Sequence, residues 1–257
     1  MRITVCRDPE AASALVARRI AAALARDPAL VLSLPTGRTP IALYDRLTQA
    51  VAEGRVDFAR AVTFNLDEFV GIGAAHPGSY RTFMERHLFS RIGIPRRRTH
   101  LLDGRARDLA AECARFERAI AGAGGVDLQL LGIGLNGHVG FNEPGPDLMA
   151  GTHRMKLTSQ TRRANAALFG GDLRQVPREA LTMGMGTILR AQRIILLATG
   201  WSKARIVRRA LEGPVTTWLP ASFLQLHGDV EVVLDRDAAS RLSPQGPHGP
   251  RVTRPRS

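Results

Sequence analysis

The chain has 257 residues and 44% hydrophobic content, a size and composition suited to one α/β domain with a sizeable core. It contains no apolar run of about 18 or more residues, so no spanning helix and no membrane partner are expected, and residues 1–5 begin as a strand without the apolar segment of a signal peptide. The net charge of +13 raises nucleic acid as a partner, but the excess is arginine scattered along predicted helices, aromatics are 5%, too few for a base-stacking platform, and neither a helix-turn-helix nor a zinc motif occurs, so no nucleic-acid partner is expected.

Strand patterns alternate with helix patterns along the chain, which argues for βαβ units and a parallel sheet. A short strand is predicted over residues 2–5, then a helix from Pro9 to about 25 with Asp8 as its cap. Cys6 and Cys113 lack C-x-x-C or zinc spacing and read as buried thiols of a reducing, cytoplasmic compartment. Residues 29–34 form a buried strand, followed by Pro35-Thr36-Gly37-Arg38-Thr39-Pro40 and a helix into the early fifties. Proline in a first turn loses no hydrogen bond. The free N–H groups and positive dipole end of that helix, with two threonine hydroxyls and Arg38, make the turn an anion site.

Residues 61–65 form a strand that runs into Asp67 and Glu68. Adjacent carboxylates at a strand end are often a plain turn, but at the carboxyl edge of a sheet one can serve as a base. Ser79 caps a helix to about residue 89, a short strand lies within 96–102, and 109–120 is amphipathic. Residues 126–131 are a buried strand that opens into Gly132, Gly134, Gly137 and the polar residues Asn136, His138, Asn142 and Glu143, and this is the expected reacting centre. Gly132 to Gly137 fit a dinucleotide fingerprint, but that motif needs a helix straight after the turn, and Pro144 and Pro146 deny one. No nicotinamide or other cofactor is expected, and the His, Cys and carboxylate spacings give no metal site. Residues 151–178 are polar and read as a mobile cover. A strand over 193–199, a helix opening at Gly200 with Lys203 in its first turn, a short helix at 220–226 and a final strand at 230–234 complete the domain. From Asp237 to 257, Ser, Pro, Gly and Arg dominate, and a basic, disordered tail is expected.

The string from Gly137 to Gly145, Gly-His-Val-Gly-Phe-Asn-Glu-Pro-Gly, closely resembles the signature of glucosamine-6-phosphate deaminases, a family related to the 6-phosphogluconolactonases. Residues 34–40, 63–71 with 76–80, 161–165, 180–189 and 221–227 resemble further family motifs in the family's order, so the resemblance covers about residues 1–236. It implies a three-layer, open, mainly parallel sheet with helices on both faces, in a Rossmann-like deaminase/isomerase fold. It also implies a single phosphosugar domain over 1–236 with an active-site lid at about 151–178. The implied activity is conversion of glucosamine-6-phosphate into fructose-6-phosphate and ammonia in amino-sugar catabolism.

By the same resemblance Asp67 is the general base of the isomerisation, and Lys203 coincides with a phosphate-binding lysine. His138 suits ring opening, because an imidazole works in both directions near neutral pH. Glu143 would orient and stabilise it. Many relatives have aspartate where this chain has Asn136; an asparagine can orient the imidazole but cannot offset its charge, so Glu143 is expected to carry the electrostatic share alone. A lid arginine of many relatives is replaced by Ala167, and Arg38, where relatives often have a smaller residue, is expected to grip the phosphate in its place with Thr36, Gly37 and Thr39. Alternatives are a 6-phosphogluconolactonase, another phosphosugar isomerase, or a non-catalytic phosphosugar sensor. The small-molecule phosphosugar is the expected partner; relatives range from monomers to hexamers, so a homo-oligomer stays open.

Overall fold

A computed structural model describes residues 1–243 and 251–253. Strand β1 (Arg2–Cys6) leads to α1 (Pro9–Arg26), where the Asp8 carboxylate accepts from the Ala11 N–H at 2.7 Å and Pro9 occupies the first turn. Strand β2 (Val31–Leu34), helix α2 (Thr39–Ala52), strand β3 (Val62–Asn65) and the three-residue β4 (Asp67–Phe69) follow. Helix α3 (Tyr80–His87) is capped by Ser79, and α4 (Leu109–Gly122), beyond the short β5 (Thr99–His100), is capped by Asp108. Then come β6 (Leu128–Leu131), β7 (His153–Lys156), α5 (Ser159–Asn165), β8 (Glu179–Thr182), α6 (Met185–Leu189), β9 (Arg193–Ala198), α7 (Ala204–Glu212), β10 (Val230–Asp235), α8 (Arg236–Ala239) and β11 (Arg251–Thr253).

Eight strands form one parallel sheet in the order β11-β1-β10-β9-β6-β2-β3-β5. Its side chains alternate between two apolar layers. On β9, Ile194 and Leu196 pack with Phe116 of α4, Ile188 of α6 and Val207 of α7, while Ile195 and Leu197 pack with Ile20 of α1 and Leu47 of α2. Burial on both faces is why these strands read as continuous apolar runs. The chain adds strands outward in one direction from β2 and in the other from β6, so the switch point lies between these neighbours. Ligands of open α/β sheets bind at the carboxyl ends there.

Two features depart from the sequence expectation. Asp67 and Glu68, read from the sequence as the residues that follow a strand, begin a strand of their own: β4, β8 and β7 make a small antiparallel sheet, with Asp67 paired to Thr182 and Phe69 to Ala180. Phe69, Tyr80, Phe141, Phe169 and Val176 form a third apolar cluster on it. The segment read as a mobile cover therefore contains regular structure, β7 and α5, anchored through β8. The tail departs as well. The Asp235 carboxylate accepts from the Ala238 N–H at 2.8 Å and caps α8, and β11 adds to the edge of β1, so β10 is not the final strand. The rest of the predicted tail, 244–250 and 254–257, lies outside the described residues.

Candidate active site

The carboxyl ends of β2, β3, β6 and β9 open onto one cavity of about 810 Å³. Its first wall is the turn from β2 into α2. Gly37 sits at φ +104°, a conformation glycine alone adopts without strain. Asn65 Nδ2 donates to the Leu34 carbonyl at 3.0 Å and the Tyr44 hydroxyl donates to the Pro35 carbonyl, which fixes the turn from below. Thr36, Gly37, Arg38 and Thr39 all line the cavity. Arg38 occupies the N-cap position of α2, so the helix presents its unpartnered first N–H groups and positive dipole end there.

The β6 loop supplies the second wall. The His138 ring lies against Gly134, where a Cβ would fall 2.3 Å from His138 Cε1, so only glycine admits the imidazole. Gly134 N–H donates to the His138 carbonyl at 2.9 Å and closes the loop. His138 Nδ1 is 3.3 Å from the Thr161 hydroxyl and 3.7 Å from Glu143 Oε2. Glu143, 4% exposed, lies behind the ring, with Oε1 accepting from the Thr158 N–H at 3.1 Å and hydroxyl at 3.2 Å. Burial alone would raise its pKa, but the imidazole and the threonines more than offset this and bring it down to about 2.

Asp67 and Lys203 complete the cavity. Asp67 is 6% exposed, and among the described residues no hydrogen bond reaches its carboxylate. Burial first, and the neighbouring Glu68 charge second, push its pKa well above the usual carboxylate range. Lys203 ends a 3-10 turn (Trp201–Lys203) just before α7, rather than standing in that helix's first turn, and its ammonium donates to the Ile133 carbonyl at 2.7 Å. Burial lowers it from 10.5 to about 8.

One expectation needs correcting. Asn136 does not hold the imidazole: its amide donates to Glu143 Oε2 at 2.6 Å and its carbonyl accepts from the His138 backbone N–H at 3.3 Å. Its contact is with the carboxylate behind the ring. Asn142 is wholly buried, and its amide bonds the Val139 and Met183 carbonyls, a structural task. Sequence reasoning gave no role to Thr158, Thr161 or Tyr80. Thr161 and Tyr80 stood inside quoted motifs, but their contacts, including Tyr80 hydroxyl to Asn165 Oδ1 at 3.2 Å, come from elements distant in sequence. Ala167 lines the cavity on the same wall as Arg163. Among the described residues no group of three or more His, Cys, Asp or Glu side chains is placed to hold a metal, and no helix is long and apolar enough to cross a membrane.

The switch point of a doubly wound sheet thus joins the start of a helix to a buried carboxylate, a lysine and a carboxylate-backed imidazole, an arrangement that belongs to the α/β enzymes. Residues 9–233 match the profile of a family described as glucosamine-6-phosphate isomerases/6-phosphogluconolactonase. The glucosamine-6-phosphate deaminase of Beutenbergia cavernae is 48% identical over 242 residues, covering 94% of this chain and 93% of that one. The deaminase of Clostridium perfringens is 43% identical, covering 94% and 100%. A solved monomeric glucosamine-6-phosphate deaminase superposes with a TM-score of 0.91 at 43% identity, covering 94% of this chain and 100% of its own. The 6-phosphogluconolactonase of Trypanosoma brucei, at 22% identity and a TM-score of 0.73 over 94% and 98% of the two chains, shares the fold. The chain belongs to the glucosamine-6-phosphate isomerase/6-phosphogluconolactonase family.

Proposed function

We propose that the chain is a glucosamine-6-phosphate deaminase, converting glucosamine-6-phosphate and water into fructose-6-phosphate and ammonia in amino-sugar catabolism. The supporting observation is the meeting in one cavity of Asp67, His138, Lys203 and the Thr36–Thr39 turn, with Glu143 behind the imidazole. Lys203 and the start of α2 take the phosphate, which positions the far end of the sugar. His138 removes the O1 proton and delivers a proton to O5, opening the ring, while Glu143 stabilises the imidazolium formed in between. Asp67 takes the C2 proton and returns it to C1. The enolamine thereby becomes a C2 iminium, which water hydrolyses to the ketone with loss of ammonia. Burial strengthens Asp67 as a base for so weak a carbon acid.

Segment 151–178 is the cover: α5 brings Thr161 to His138, and Thr158 just before it binds Glu143. With Ala167 on the wall, exposed Arg38 supplies the second cation for the phosphate. A sugar phosphate dianion does not cross a bilayer unaided, and both cysteines are free, so the reading places the protein in the cytoplasm. Purified protein should release ammonia from glucosamine-6-phosphate. Hydrolysis of 6-phosphogluconolactone without ammonia release would instead make it a lactonase, and phosphosugar binding with neither turnover would make it a sensor.

A further inference from the structure

The period-two alternation of β4 sends its two carboxylates in opposite directions. Asp67 lines the active-site cavity, whereas Glu68 lines a second cavity of about 530 Å³ walled by Arg81, Arg96, Asp103 and Arg105. Glu68 is 3% exposed, and backbone donors occupy both of its oxygens. Oε1 accepts from Phe69 N–H at 2.9 Å and Tyr80 N–H at 3.1 Å, and Oε2 accepts from Arg81 N–H at 3.1 Å. Tyr80 and Arg81 open α3, where N–H groups lack intrahelical partners. One side chain therefore ties the peptide that follows Asp67 to the start of the helix carrying Tyr80, whose ring packs on Phe69 at 4.9 Å.

We propose that Glu68 is a positioning residue for the general base: it locks the corner between β4 and α3 so that the Asp67 carboxylate is held into the cavity, with a buried negative charge directly beside it. The proposal rests on the reading of Asp67 as the base. Burial leaves the Glu68 pKa raised overall, and its three N–H donors and the Arg81 charge limit the rise. The Glu68 carboxylate is the second cause, after burial, of Asp67's raised proton affinity. The other ionisable groups acting on Asp67 from packed elements cannot replace it: Tyr44 from α2 and Tyr80 from α3 are both kept neutral by burial. Across the cavity stand His138, Lys203, Arg38, Arg86, His87 and Arg163. Arg81, Arg96, Asp103 and Arg105 face Glu68 across its own cavity.

The test is the pH profile of kcat/KM for ammonia release by the full chain, whose acid limb reports the free enzyme's base. Glu68→Gln should move that limb down by about one pH unit, because a like charge beside Asp67 is removed, while Glu68→Asp, which keeps the charge, should leave it in place. A lowered kcat with no movement of the limb in a cooperatively melting Glu68→Gln protein makes Glu68 merely structural and overturns the proposal. If that variant does not fold, carbon-13 titration of the wild-type carboxyls decides: Glu68 should ionise at lower pH than Asp67, and the reverse order overturns the proposal. Asp67→Asn keeps the two failures apart. If it still exchanges the C2 proton, the base assignment itself falls; if it is inactive and the Glu68→Gln limb is unmoved, only the role of Glu68 falls.

Discussion

Raising the pH from 7 to 9 should weaken phosphosugar binding about ten-fold through Lys203 alone. Its ammonium is half-buried, and its hydrogen bond in the protein is to a neutral carbonyl, so burial lowers its pKa from 10.5 to about 8. That difference corresponds to ~3 kcal/mol favouring the neutral amine before a phosphate arrives. A pKa of about 8 leaves Lys203 about nine-tenths charged at pH 7 and about one-tenth charged at pH 9. A bound phosphate dianion restores the charge, so free protein must take up a proton to bind at the higher pH. The substrate's own amine titrates in the same range, and fructose-6-phosphate, which lacks it, is therefore the probe. Calorimetry in buffers of different ionisation enthalpy should show its Kd rising about ten-fold from pH 7 to 9, with proton uptake approaching one at the alkaline end. Lys203→Met should raise the Kd at pH 7 by about 10- to 100-fold, the size of a charge-assisted hydrogen bond, and flatten the pH dependence. A wild-type Kd that stays constant across this range would refute the placement of Lys203 in the phosphate grip.

Glu143→Gln should lower kcat about 10- to 100-fold, since the imidazolium formed during ring opening loses its carboxylate. Because folding depresses Glu143 from 4.5 to about 2, its contribution to stability is complete above pH 4.5 and is lost as pH falls toward 2. It amounts to ~3 kcal/mol, and denaturant melts of wild type and Glu143→Gln should converge at the acid end. Gly134→Ala should cut kcat at least about ten-fold with a near-normal melting temperature, because its Cβ displaces the His138 ring rather than the core. Arg38→Ala should raise KM about ten-fold and spare kcat, the signature of lost uniform binding; an unchanged KM would leave Ala167 uncompensated.

Local chemistry made much of this molecule legible. Asp8 and Ser79 cap their helices because a short polar side chain before an amphipathic run has few better uses. Val31–Leu34 and Leu128–Leu131 read as buried strands because both faces of a parallel sheet are covered. The candidate site residues were found by motif, and most of them share the cavity. Asn136 was assigned the wrong neighbour, since nothing in the spacing of Asn136, His138 and Glu143 tells which side chain an amide will face. The tail misled differently: a Ser, Pro, Gly and Arg composition carries no periodicity, yet three of its residues find a free sheet edge at β1.

Residue order by itself determined the succession of strands and helices, the glycines that allow tight turns, and the polar loops at the strand ends, because these depend on neighbours within a few positions. Tertiary structure alone decided that residues as far apart as Thr36 and Lys203 share one cavity, and that Asp67 and Glu68, adjacent in the chain, face different ones. The pairing of Asp67 with Thr182 that makes β4 a strand joins distant parts of the chain. Such pairing, like the burial that shifts Asp67 and Lys203 and the contacts that depress Glu143, depends on what packs against a residue after folding, and no local pattern records that.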